Sequence, residues 1–256
     1  EELREGLYQR AEERFISLWS MLKIKPENYG SLGKLPSSPL PIKGLLTISL
    51  CPFYPKDPFC SPPEIEKISS GIQVRNYRVQ GDYFPQSAYA ESQIVQDGYV
   101  ISHRPEDGRV KLFHAEFNCF GLYFYKEWVI TSGLGPNGKT KEGIYFPKIL
   151  CPLDMFIQSA TKFYQRLGYW GPLDFRVDLD NIRGCTLVLD NFLNRLLSHS
   201  PDSRVHFAEA ILTHSLEAKR TELILGSVRK ICWAFGGDIT PEELDSCFRH
   251  YGRPPE

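Results

Sequence analysis

One stretch constrains the fold more than any other: Gly168-Tyr-Trp-Gly-Pro-Leu-Asp-Phe-Arg-Val-Asp-Leu-Asp-Asn-Ile-Arg-Gly184. It closes an amphipathic helix, turns on Gly171-Pro172 and enters a segment of strict alternation. Leu173, Phe175, Val177 and Leu179 fall on one face, and Asp174, Arg176, Asp178 and Asp180 on the other. Period-two alternation means a strand with one apolar and one polar face. A helix feeding such a strand points to an α+β fold in which a sheet is packed on helices.

The remaining chain fits that frame. Leu3, Leu7, Ala11, Phe15, Leu18 and Leu22 repeat at helical spacing, which predicts a charged helix over 1–24. Pro26, Gly30, Pro36, Pro39 and Pro41 make residues 26–43 a linker or crossing loop. Leu45 to Leu50 is a short apolar strand. Ser61-Pro62-Pro63-Glu64 starts a short helix. Residues 88–128 read as an antiparallel meander, with hairpin turns at Asp97-Gly98 and Pro105 to Gly108 and a bulge near Phe120-Gly121. A Gly/Lys loop covers 131–143, and a helix runs from Pro152 to Leu167. Strands 173–179 and 185–189 are expected to form a hairpin around Asn181 to Gly184. Residues 205–213 suit either strand or helix. Helices follow at 216–235 and, after the Thr240-Pro241-Glu242-Glu243 capping box, through Tyr251. The expected architecture is an antiparallel sheet against a central helix and C-terminal helices. Residues 1–43 would be a helix and linker from an absent upstream domain, and 44–256 a single α+β domain.

Composition excludes several classes. The net charge of −1 gives no signal of the clustered basic surface that non-specific grip on nucleic acid needs, and leaves open only a local patch within the balance. Seven scattered cysteines, an odd number with no CxxC pair, suggest neither a disulfide framework nor a zinc site. No apolar run has the length of a membrane span and no signal peptide stands out, so the expected location is the cytoplasm.

Four constellations carry possible chemistry or binding. Gly133-Leu-Gly-Pro-Asn-Gly138-Lys139-Thr140 matches the phosphate-loop pattern, in which backbone N–H groups and the Lys cradle phosphates and the Thr holds magnesium. Asp190, ending Thr186-Leu-Val-Leu-Asp190, is a candidate magnesium ligand. A phosphate loop needs a helix beginning at the Lys, whereas Gly143 and Pro147 follow here, which favours a hairpin loop. His114, Glu116 and Asn118 alternate on one strand face, either as a metal or substrate site or as the solvated side of a half-buried sheet. Glu217 and Lys219, with Asp202 upstream, have the acid-x-Lys spacing of metal-dependent nucleases, but the pair falls at a predicted helix start. Arg75, Tyr77, Arg78, Tyr83, Phe84 and Tyr89 interleave base and aromatic character. Such residues line nucleotide grooves or pack strand edges.

Several motifs together resemble the region that follows a Schlafen-like, AlbA-type DNA-binding domain in many bacterial proteins. They are the charged helix Arg4 to Lys23, the apolar strand ending Cys51-Pro52, Asp97-Gly98, the strand Phe113 to Phe124, and Tyr145-Phe-Pro147. Tyr164-Gln-Arg-Leu-Gly-Tyr-Trp-Gly-Pro172 and Asn181-Ile-Arg-Gly184 complete the set. The resemblance covers roughly 1–190. With no catalytic constellation, a near-neutral charge and a start directly in a charged helix, the expected function is a non-catalytic sensing, partner-binding or dimerising module of such a bacterial protein, with a protein partner or self-association. Nucleic acid would then be contacted through the upstream domain. The label of ATP or DNA binding that such proteins carry belongs to that upstream domain and transfers no functional residue. No cofactor is expected unless a magnesium nucleotide binds at 133–140.

Overall fold

The alternating segment Pro172–Asp180 forms a nine-residue strand, second from one edge of the main sheet. The computed structural model describes residues 1–21, 43–77, 82–86, 90–103, 113–134, 140–189 and 196–251. In chain order these form α1 (Glu2–Met21), β1 (Leu45–Pro52), α2 (Pro62–Ser70), β2 (Val74–Arg75), β3 (Tyr83–Phe84), β4 (Ala90–Val95) and β5 (Gly98–His103). Then come β6 (Phe113–Asn118), β7 (Tyr123–Trp128), β8 (Ile130–Leu134), β9 (Thr140–Tyr145), α3 (Pro147–Leu167), β10 (Pro172–Asp180) and β11 (Thr186–Val188). β12 (Leu196–His199), β13 (Arg204–Leu212), α4 (Arg220–Ala234) and α5 (Pro241–His250) close the series.

Among the described residues the main sheet has seven strands in the order β13-β10-β1-β7-β6-β5-β4, every neighbouring pair antiparallel. Its inner face carries Leu46, Ile48, Leu50, Tyr123, Phe117, Phe175 and Val177 onto α3, whose flanks are buried almost all round. Tyr123 stacks on Phe156 with ring centroids 4.3 Å apart, and Phe117 meets Phe163 at 5.5 Å. Tyr164 donates its buried hydroxyl between the carbonyls of Leu50 and Gly121, which locks the end of α3 to the sheet. Leu223, Val228, Leu244 and Phe248 bring α4 and α5 into the same core. The architecture is therefore α+β, an antiparallel sheet with a central helix and the C-terminal helices packed on it.

The Asp97-Gly98 hairpin, the short helix starting after Ser61 and the Thr240 capping box form as the sequence predicts. Gly168 ends α3 in the left-handed region (φ 71°), where a side chain would be strained.

Other expectations need correction. β10 and β11 do not pair. Asn181 (φ 57°) and Gly184 (φ 76°) bend the chain out of the main sheet, and β11 enters a second sheet of order β12-β11-β9-β8. The neighbour that β10 takes instead is β13, so 204–212 is strand. α3 begins at Pro147 and holds Pro152 inside it, because proline there forfeits a single bond to an early carbonyl while the helix gains a buried face. α4 starts only at Arg220, behind a 3-10 turn at Thr213–Ser215. The expected bulge at Phe120-Gly121 is a true turn between β6 and β7, with Gly121 at φ 88° and its N–H donating to Asn118 O. The turn expected at Pro105 to Gly108 and most of the 26–43 linker lie outside the described residues.

Candidate functional site at the α1–sheet interface

The outer face of the main sheet is polar along its whole width. Ser102, His114, Lys126, Thr47, Asp178 and His206 stand directly opposite one another, strand by strand, from β5 to β13. His114, Glu116 and Asn118 share one face, as the alternation predicts. That face is not solvated: they are only 1 %, 0 % and 0 % exposed, because α1 lies over them. The helix applies a narrow apolar stripe, Leu7, Ala11 and Phe15, to Cys51, Leu122, Phe124 and the His114 ring. That cluster is separate from the main core.

Charge lines both flanks of the stripe. On one side Arg14 donates through Nε to Glu116 Oε2 (2.9 Å) and through Nη2 to Oε1, and its Nη2 lies 3.2 Å from Asp97 Oδ1 as an ion pair. Arg10 reaches Asp97 Oδ2 at 3.1 Å. On the other side Lys126 pairs with Glu12 and sits 5.1 Å from the Phe15 ring centroid. Arg176 donates to both Glu5 and Asp174 and stacks on Tyr8, and Arg4 lies 3.5 Å from Asp174. His114 Nε2 lies 3.4 Å from Glu116 Oε2. Burial by itself would raise the Glu116 carboxyl. The bonds from His114 and Arg14 outweigh it and hold the group below the ordinary carboxylate range. Glu116 is thus a paired anion at neutral pH, already engaged by donors, and a general base is best poised nearer the working pH.

A second polar cluster sits beyond the helix on β10 and β13. Asp178 accepts from Arg204 Nε and Nη2 and lies 2.8 Å from His206 Nδ1, while Arg204 also reaches Asp180. A third lies under α3 and α4. Buried Asp154 accepts from Tyr77 OH (2.9 Å) and Gln158, and Arg220, 3.5 Å away, also pairs with Glu217. Neither cluster is legible in the sequence, since each joins residues far apart in the chain.

The other candidate residues are scattered. Gly133 lies in β8 opposite Lys141, and Thr140 opens β9 opposite Leu134. The segment after Lys139 is therefore strand over Thr140–Tyr145, where a phosphate loop requires helix. Gly138, Lys139 and Asp190 lie outside the described residues, as do Arg78 and Tyr89. Glu217 and Lys219 sit in the turn before α4, and Asp202 lies in the short connection between β12 and β13. Arg75 and Tyr83 are exposed on the two-stranded ribbon β2-β3, while Phe84 is buried. All seven cysteines are free, and burial pushes the thiols of Cys51 and Cys119 up to about 12 and about 11. Among the described residues no group of three or more His, Cys, Asp or Glu is arranged to hold a metal ion, and no helix is long and apolar enough to cross a membrane. No protein-family model, curated protein or solved structure matches the chain.

Proposed function

We propose that the chain is a non-catalytic sensing and protein-binding module that serves a nucleic-acid-associated protein of the Schlafen-like, AlbA-type kind. The observation that carries the reading is the use made of His114, Glu116 and Asn118. The residues best suited to chemistry lie beneath α1, and Glu116 is neutralised by a helix arginine. A polar layer of this kind specifies how a helix docks. It leaves no open carboxylate or imidazole there for a substrate. Association with nucleic acid rests on the sequence resemblance alone and belongs to the upstream domain that the resemblance implies.

The rival is magnesium-nucleotide binding through Gly133, Gly138, Lys139, Thr140 and Asp190. A thermal-shift titration with magnesium-ATP and magnesium-GTP, alongside a turnover assay, separates the two. The expected result is no stabilisation and no turnover, with Lys139→Ala identical to the parent. Saturating nucleotide at a hundredfold excess over its dissociation constant stabilises a binder by ~2.7 kcal/mol. A shift of that size that disappears in Lys139→Ala, or turnover that survives purification, overturns the proposal.

A further inference from the structure

The two ends of the main sheet are unlike. β4 is six residues long and carries exposed Glu91, Ser92 and Gln93, the kind of charged, short edge that resists pairing. β13 is nine residues long, holds neither Pro nor Gly, and has β10 as its sole strand neighbour among the described residues. The hydrogen-bond phase of that neighbour is fixed. Thr213 N–H donates to Gly171 O (3.3 Å) in the pair that continues the register past Pro172 and Leu212. In an antiparallel ladder every second pair exchanges hydrogen bonds. The odd-numbered residues of β13 therefore bond to β10. Arg204, His206, Ala208, Ala210 and Leu212 turn their N–H and C=O groups outward.

Side chains leave this edge open to one partner in particular. The outward residues are exposed, and the centre of the edge is Ala208 and Ala210, which neither repel nor obstruct. The charged side chains at the Arg204 end are tied back to Asp178 of the same chain. We propose that β13 pairs antiparallel with β13 of a second copy of this chain, about a two-fold axis through Ala208. This deepens the reading of the chain as an association module and rests on it. That register overlaps all nine residues. It sets Val205 against Ile211, His206 against Ala210 and Phe207 against Glu209, and it opposes no like charges. The main sheet then runs unbroken through both protomers.

Sedimentation velocity over a concentration series tests the surface, and the nucleotide assay tests the wider reading, so the two fail separately. The parent chain is expected to be a dimer. Ala208→Pro removes an outward N–H and leaves the β10 ladder intact, so it is expected to sediment as a monomer. Ala208→Lys and Ala208→Glu place like charges face to face at an exposed position that the fold does not use. Each is expected to be monomeric alone and to regain the dimer when the two are mixed. A monomeric parent overturns the proposal, as does a dimer that persists in Ala208→Pro. Charged variants that stay monomeric on mixing refute the two-fold through Ala208.

Discussion

Removing the Arg14 guanidinium strands Glu116 beneath a helix. The carboxylate is fully buried and would keep only the His114 contact. Breaking one half of a buried ion pair costs about 3–5 kcal/mol. The Arg14 side chain is 26 % exposed and so partly screened, which places Arg14→Ala near the lower bound, ~3 kcal/mol. That loss is comparable with what holds α1 down. Leu7 and Phe15 contribute about 1.5–3 kcal/mol each on full burial, and Ala11 less. The protein can therefore relieve the stranded charge by releasing α1 and hydrating Glu116, while the core around α3 stays closed. Amide hydrogen exchange followed segment by segment reads this directly. Protection of α1 should fall by roughly a hundredfold, since 1.4 kcal/mol is a factor of ten, while β1, β7 and α3 keep theirs. The double substitution Arg14→Met with Glu116→Leu should recover most of the loss, because a matched apolar pair leaves no charge to desolvate. Unchanged α1 exchange in Arg14→Ala would refute the reasoning, and so would an equal loss in α1 and α3.

Acid should weaken the same interface. The Glu116 carboxyl is held low in the folded state, so its contribution is complete above the ordinary carboxylate value of 4.5 and is lost as pH falls through the lower folded value. The melting temperature of the parent should therefore drop more steeply below about pH 4.5 than that of Glu116→Gln, and superimposable acid limbs would show that the group is not linked to folding. Among the thiols, half-exposed Cys60 should alkylate first in the native protein, ahead of buried Cys51 and Cys119. Mass spectrometry of partly labelled protein reads the order, and early labelling of Cys51 would contradict its burial.

Local rules made a good part of this fold legible. The Leu173 to Leu179 alternation, the Asp97-Gly98 turn, the cap at Gly168 and the Thr240 capping box each depend on residues a few positions apart, and each forms. The strand pairings that failed depend on partners far along the chain. Nothing within 173–189 tells that β10 bonds to β1 and β13, because alternation sets a strand's faces and leaves its neighbours open. His-x-Glu-x-Asn on a strand fits open water and a buried ionic layer equally well. The deciding residues, Arg10 and Arg14, lie some hundred positions earlier on the polar flank of a helix. The complementary signs were present in both segments, but a single sequence carries no register between them. The Gly133 to Thr140 motif shows the reverse, a local pattern that matches a phosphate loop at every fixed position while its described ends, Gly133, Leu134 and Thr140, lie on paired strands.

The placement of β1 dictates the order in which this molecule can be assembled. Its two neighbours are β7 and β10, so Leu46 bonds on one side beside Glu127 and on the other beside Leu179. A ribosome has made the earliest strand of the sheet long before it supplies the last of the two that flank it. Until Asp180 emerges, one side of a strand destined for full burial has no mate, and the inner surface of the sheet has no finished lid. Closing loops of this span is slow, and it leaves unpaired edges available to other chains in the meantime. Any shortened version that stops before β10 retains that open side for good. Insolubility of such pieces would therefore report on strand order, and would say nothing against the folding competence of the residues they keep.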